Sequence, residues 1–177
     1  TIVTLILVAV LYPLLIWGIA QVLGPAQGKA ELVYKDGVPV GAALVGQIFT
    51  EDRYFSGRPS AVDYNGAGSA GSNKGPSNPD YLATVQARID SFAVHNPDVA
   101  IKDIPSELVT ASGSGLDPDV SPQAAKIQVP RISALRNIPA DRLKQLIDTH
   151  TEKPLLGLFG PSKVNVLQLN LALDQLK

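Results

Sequence analysis

With 177 residues and a formal net charge of −1, the chain has the length of about one domain and no basic field of the kind that binds nucleic acid. It contains no cysteine, which excludes disulfides, thiolate metal sites and cysteine nucleophiles. Its two histidines, His95 and His150, cannot alone build a histidine-rich metal centre.

Thr1 to Gly28 contains no Asp, Glu, Lys or Arg, and the first charge is Lys29. Ile2 to Leu23 is almost wholly apolar. As a helix it would run roughly 33 Å, enough to cross a bilayer core. A buried core helix would normally be shorter and carry a polar stripe. Gly18-Ile19-Ala20 resembles a signal-peptide cleavage site, but the apolar run exceeds the usual signal core of about 7–15 residues. The expectation is an uncleaved span over 1–24, followed by a body over 25–177. Tyr12 and Pro13 fall mid-span, where a phenol hydroxyl and the carbonyl freed by proline both want partners. Together with Trp17 they suggest packing against other membrane helices. Lys29 and Lys35 are offset by Glu31 and Asp36, so charge does not orient the span.

Lys35-Asp36-Gly37 between two β-prone runs predicts a hairpin with strands near 30–35 and 38–46. Gly46 to Pro79 then reads GQIFTEDRYFSGRPSAVDYNGAGSAGSNKGPSNP. From Ser56 on it holds five Gly, three Pro, five Ser and three Asn, which rules out a helix or a central strand. Flexible linkers are poor in aromatics. Tyr54, Phe55, Arg58, Tyr64 and Asn65 therefore favour an ordered, irregular loop that presents a surface over a disordered linker.

Ser77-Asn78-Pro79-Asp80 predicts a helix start, and Leu82, Val85, Ile89 and Phe92 carry that helix over about 80–94 until Asn96-Pro97. A short helical turn follows over 105–109, then a second irregular loop from Thr110 to Pro122. Ser121-Pro122 starts another helix with Ala125, Ile127, Ile132 and Leu135, broken or kinked at Pro130 and capped by Asn137. Pro139 starts a third, with Leu143, Leu146 and Ile147 on one face and His150 near its end. Leu155 to Phe159 reads as a strand, Gly160-Pro161 as a turn, and the end of the chain as a helix after Asn165.

Candidate chemistry is sparse. Gly66-Ala67-Gly68-Ser69-Ala70-Gly71 fits GxGxxG but lacks the preceding strand and following helix of a dinucleotide fold. Lys74 beside it is most simply a solvated lysine. Asp117-Pro118-Asp119 offers two carboxylates without EF-hand spacing, and turn chemistry explains them. Ser112 or Ser114 with His150 and Glu152 could form a nucleophilic triad, the basis of an alternative reading as a membrane-tethered hydrolase. No GxSxG elbow is present, and a histidine facing a helix C-terminus is the simpler account. A small-ligand binding module is a third reading.

The loop motifs themselves are more specific. Gly46-Gln47 with Phe49-Thr50, Tyr54-Phe55-Ser56-Gly57-Arg58-Pro59-Ser60-Ala61, Tyr64-Asn65, Ser72-Asn73 and Gly75-Pro76-Ser77-Asn78-Pro79 resemble the KdpC family of potassium-transporting ATPase subunits. The resemblance continues through Val109 to Pro118, Ser121-Pro122, Gln128-Val129-Pro130-Arg131, His150-Thr151-Glu152, Val164-Asn165-Val166-Leu167 and Leu169-Asn170. One departure is Ala70, where the family often has a second glycine.

The resemblance implies a single N-terminal transmembrane helix plus one compact α+β extracytoplasmic domain with long irregular loops, in a bacterial inner membrane. It implies partners: a channel-like potassium-binding subunit, a P-type ATPase subunit and a small single-span peptide. ATP and K+ would be handled by those partners, with no cofactor or metal held here. DKTGT and TVGYG motifs are absent, so neither the ATPase engine nor a potassium filter is expected in this chain. The family is described as stabilising the complex and raising the ATP affinity of its catalytic subunit. The interface residues expected on this basis are Tyr12, Pro13 and Trp17 in the span, and Tyr54, Phe55, Arg58, Tyr64, Asn65, Asn73, Asp117 and Asp119 in the loops. Asp117 and Asp119 would modestly raise the local cation concentration at an outer potassium entrance.

Overall fold

The computed structural model describes residues 1–176. The chain divides into two compact units, Thr1–Leu44 and the remainder from Val45.

In the first unit, α1 (Ile2–Ile6), a π-helical turn over Leu7–Leu11 and α2 (Tyr12–Leu23) form one 22-residue apolar helix. The π-turn has a local cause. Pro13 has no N–H and crowds the carbonyl one turn back, and the helix widens just before it: the Tyr12 N–H reaches Leu7 O, five residues away. None of the helix is buried within the chain, so it is not a core helix. Its large apolar side chains are 45–81% exposed.

The expected hairpin follows as β1 (Leu32–Lys35) and β2 (Val38–Ala42), paired antiparallel from Leu32↔Ala42 to Lys35↔Val38 with a bulge at Val33/Tyr34. Asp36 and Gly37 both take positive φ, 52° and 79°. That geometry matches the twist of the strands, and Asp-Gly adopts it readily. The second strand ends at Ala42 rather than 46.

The second unit is a helical layer around a small antiparallel sheet. Its helices are α3 (Pro79–His95), α4 (Pro122–Lys126), α5 (Val129–Arg136), α6 (Ala140–Thr149) and α7 (Val166–Gln175). Asn78, Ser121 and Asn165 cap α3, α4 and α7 by accepting the N–H groups of Tyr81, Ala124 and Gln168. The expected break falls at Ile127–Gln128, with Pro130 in the first turn of α5. Asn137 closes α5 in the left-handed conformation, φ 54° and ψ 36°. The sheet has the order β3 (Asp119–Val120), β5 (Lys163–Asn165), β4 (Thr151–Glu152), with Val164 opposite both Val120 and Thr151. Ile132, Leu143, Ile147, Val164, Leu169 and Leu173 are fully buried and form the centre of the core.

One expected strand is absent. Leu155 to Phe159 is a tight turn: Leu155 and Phe159 exchange backbone hydrogen bonds at 3.0 Å each, with Leu156 and Gly157 at positive φ. Pro154 and Gly157 interrupt an apolar run that otherwise reads as β.

Candidate functional site

The Gly46–Pro79 segment has no helix or strand before Pro79, yet its first half is fixed to the body at many points. Phe55 is the anchor. Its ring is completely buried among the helices, and its backbone meets Asn170 of α7 in both directions. The Phe55 N–H donates to Asn170 Oδ1 at 2.9 Å, and Asn170 Nδ2 donates to Phe55 O at 2.9 Å. A buried side-chain amide thus replaces the missing strand partner. Gln128, between α4 and α5, does the same one residue on. Its Oε1 accepts from Ser56 N and Ser56 Oγ at 2.9 Å each, and its Nε2 donates to Ser56 O and Ala124 O.

Tyr54 lies with the Arg136 and Arg53 guanidinium groups 4.7 and 5.1 Å from its ring centroid, and its hydroxyl donates to Asp174 at 3.1 Å. Arg136 in turn holds Asp174 at 2.7 Å.

A second set of bonds ties this segment to the loop 110–119. Arg58 pairs with Asp117 at 3.0 Å, and Tyr64 donates its hydroxyl to Arg58 O. Ser60 Oγ donates to Gly115 O at 2.7 Å, and Ser112 N donates to Pro59 O at 3.1 Å. Burial and the nearby Asp117 carboxylate raise the Tyr64 pKa above the usual phenol value, with Arg58 opposing. Two glycines are sterically required. A Cβ at Gly46 would lie 2.4 Å from Asp117 O. Gly115, at φ +68°, would set one 2.5 Å from Val62 Cγ2 and 2.7 Å from Ala70 O.

Between this loop and α3 lies an open cleft of about 410 Å³. Arg131 forms part of its wall, nearly buried, donating to Asn96 Oδ1 and Gln128 Oε1 at 2.9 Å each and to Asp52 O. Burial lowers the Arg131 pKa below the usual guanidinium range, with Asp52 opposing. Asp52 also lies 2.9 Å from His95 Nδ1. Arg131 is therefore engaged in holding three segments together. Among the described residues, Arg58 Nε on this wall is buried without a hydrogen-bond partner.

Of the residues expected at an interface, Arg58, Tyr64 and Asp117 lie together, Tyr54 packs with Arg53, Arg136 and Asp174, and Phe55, Asp117 and Asp119 are placed differently from a free surface. Phe55 is a core residue and offers no surface. Asp117 is neutralised by Arg58, and Asp119 by Lys163 at 2.8 Å. Both acids are thus paired rather than forming an open anionic patch. Hydrogen bonding to Asp119 is the largest of several influences that raise the Lys163 pKa. Asn65, at the end of the first half, and Asn73, in the glycine-rich half, are exposed, with Asn65 Oδ1 accepting from Ala67 N at 3.0 Å. Tyr12, Pro13 and Trp17 lie exposed on the apolar helix.

The hydrolase residues are each engaged locally. Ser112 Oγ accepts from Gly115 N at 2.9 Å, Ser114 Oγ accepts from Leu116 N at 3.0 Å, and His150 Nδ1 faces Leu146 O at 2.9 Å. No hydrogen bond joins the serines to the histidine among the described residues. Nor do the described residues contain a cluster of three or more potential metal-ligating side chains of the His, Cys, Asp and Glu types. The GxGxxG run lies in irregular chain, with no strand before it or helix at it.

Asn170 and Gln128 carry the construction of the loop, and sequence reasoning gave them no role. The available signal was an amide on an otherwise apolar stretch: Asn170 among Leu167, Leu169 and Leu173, and Gln128 between Ile127 and Val129.

Comparison with known proteins bears on what such a surface serves. Residues 1–175 match the family model described as KdpC, K+-transporting ATPase, c chain. A potassium-transporting ATPase KdpC subunit from Bacteroides fragilis (strain YCH46) is 54% identical over 179 residues, covering 100% of this chain and 94% of the relative. One from Flavobacterium johnsoniae is 56% identical over 177 residues, covering 100% and 94%. One from Caldanaerobacter subterraneus subsp. tengcongensis is 46% identical over 173 residues, covering 98% and 90%.

Proposed function

This chain belongs to the KdpC family of K+-transporting ATPase subunits, and from that premise we propose that it is a non-catalytic assembly subunit of an ATP-driven potassium importer. ATP and K+ are handled by the partners: a channel-like potassium-binding subunit, a P-type ATPase subunit and a small single-span peptide. The apolar helix is an uncleaved single span in a bacterial inner membrane, packed on the channel-like subunit through Tyr12, Pro13 and Trp17. Residues 25–177 form the body on the extracytoplasmic side.

The observation that carries this reading is the pinned loop. A long irregular segment held by two buried amides, an Arg–Asp pair and cross-loop hydrogen bonds is a preformed surface, and preforming a loop removes the ordering cost of binding. The exposed side of the 46–65 and 110–119 loops is the docking face for the channel-like subunit, over its outer mouth. An influence on the ATP affinity of the P-type subunit then passes through the assembled complex as a coupling free energy, not through contact of this body with nucleotide.

The test is co-expression with the partner subunits and purification in mild detergent through a tag on this chain. The wild-type chain should bring down the complex with potassium-stimulated ATPase activity. Ile48→Glu combined with Ala61→Arg, both on exposed positions, should reduce recovery of the complex by roughly tenfold while leaving the isolated chain folded. Full recovery and unchanged potassium affinity would remove the loop face from the assembly.

A further inference from the structure

The turn between β4 and β5 is not used by the proposed docking face. Residues 155–161 are all exposed. Four of them are large and apolar: Leu155, Leu156, Leu158 and Phe159, at 70, 81, 81 and 63% exposure. Elsewhere in the second unit the strongly exposed large apolar side chains of the described residues are scattered singly, which is ordinary for a protein surface. Four within five residues concentrate apolar surface on one short turn, and clustered apolar surface marks an interaction site.

Two features distinguish the bilayer from a protein surface as the occupant. The turn satisfies part of its backbone internally. The N–H groups of Leu155, Gly157, Leu158 and Phe159 donate to Phe159 O, Pro154 O, Leu155 O and Leu155 O, at 2.9–3.1 Å. Its four large side chains have no polar atom to satisfy. An element of this kind can lay its side chains into the acyl boundary while its remaining carbonyls stay at the hydrated headgroup level. Exposed Lys153 stands just before the patch, positioned for the anionic headgroup level while the leucines enter the acyl boundary. The third argument rests on the membrane reading above: the apolar helix tethers the body to a bilayer, so the turn meets lipid at high effective concentration.

We propose that the Leu155–Phe159 turn is a second membrane contact, dipping into the headgroup–acyl boundary and orienting the body on the bilayer. This also accounts for the near-complete exposure of Leu156, which is unfavourable in water.

The absence of cysteine from the chain permits a single-site test. The whole chain, in nanodiscs of phosphatidylethanolamine and phosphatidylglycerol, is labelled with an environment-sensitive fluorophore at Leu158→Cys. Ile16→Cys in the apolar helix and Lys102→Cys on the body serve as references. Lipids carrying a nitroxide high on the acyl chain report proximity. The expected result is a blue-shifted Leu158→Cys emission quenched roughly twofold or more, with Lys102→Cys unquenched. Leu155→Ser with Leu156→Ser should abolish the quenching without changing the far-ultraviolet circular dichroism. Should Leu158→Cys fail to fold, Phe159→Cys reports the same contact.

Quenching at Ile16→Cys but not at Leu158→Cys would overturn the proposal and leave the membrane reading intact. Quenching at neither would overturn both. A Leu158→Cys probe shielded from water without quenching, and only when the partner subunits are present, would assign the turn to a protein interface and overturn lipid contact.

Discussion

The two halves of the Gly46–Pro79 segment are equally irregular in backbone and opposite in construction. From Gly46 to Asn65 the chain is bound by Asn170, Gln128 and the 110–119 loop, around a buried Phe55. From Gly66 to Ser77 it is mostly exposed and held by sparser bonds, such as Ser69 Oγ to Ser114 O at 2.9 Å and the Gly75–Asn78 turn. Absence of secondary structure is therefore a poor guide to mobility. What matters is whether buried donors and acceptors outside the segment meet its backbone. The first half is shaped by the body, and the second is a connection whose glycines and asparagines serve turns.

The sharpest way to break this contrast is to remove the anchor. Phe55→Ala empties a fully buried aromatic site and should cost about 3–5 kcal/mol, enough to unfold the body or lower its thermal midpoint by more than about 10 °C. Circular dichroism of the chain in detergent reads this directly. Asn170→Leu keeps the volume but strands the Phe55 N–H and C=O. The expected loss is about 2–4 kcal/mol, and a shift below a degree or two would mean that the amide is not what holds the loop.

An alkaline titration sharpens the comparison at smaller scale. The Tyr64 pKa is raised in the folded state, so its contribution is complete below the ordinary phenol value near pH 10. It is lost as pH rises through the folded value, because the unfolded chain releases the proton first. Lys163, also raised, has the same sign. Stability should therefore fall above about pH 10, and Tyr64→Phe should shallow that fall. An unchanged slope in Tyr64→Phe would dissociate Tyr64 from the pinning. At the bottom of the scale, Gly66→Ala and Gly68→Ala meet no atom within 4 Å and have no positive φ. They should change stability by less than about 0.5 kcal/mol, while Gly115→Ala in the opposing loop should be clearly destabilising.

What the sequence made legible was local. Asp36-Gly37, the helix starts at Asn78 and Ser121, the helix after Asn165, the break just before Pro130 and the Asn137 cap each depend on a few residues of chain, and they appear close to where they are expected. Order in the 46–65 loop was also legible from its aromatics, but not its cause. Asn170 lies 115 residues from Phe55, and Gln128 lies 72 residues from Ser56, with no periodicity to join them. The same non-locality hid the burial of Phe55 and the pairing of Asp117 and Asp119, which read as exposed loop residues. Leu155–Phe159 departs from the expected strand for a different reason: apolar composition favours a strand, and Pro154 with Gly157 overrides it.

Hydrogen–deuterium exchange of the isolated chain in detergent tests the central claim, that the docking face is built before any partner arrives. The account predicts that the amides of Phe55, Ser56, Ser112 and Leu116 exchange as slowly as those inside α5 and α7, while residues 66–77 exchange within seconds to minutes. Uniformly fast exchange from Gly46 to Ser77, slowed only in the assembled complex, would contradict it and make the face a product of binding.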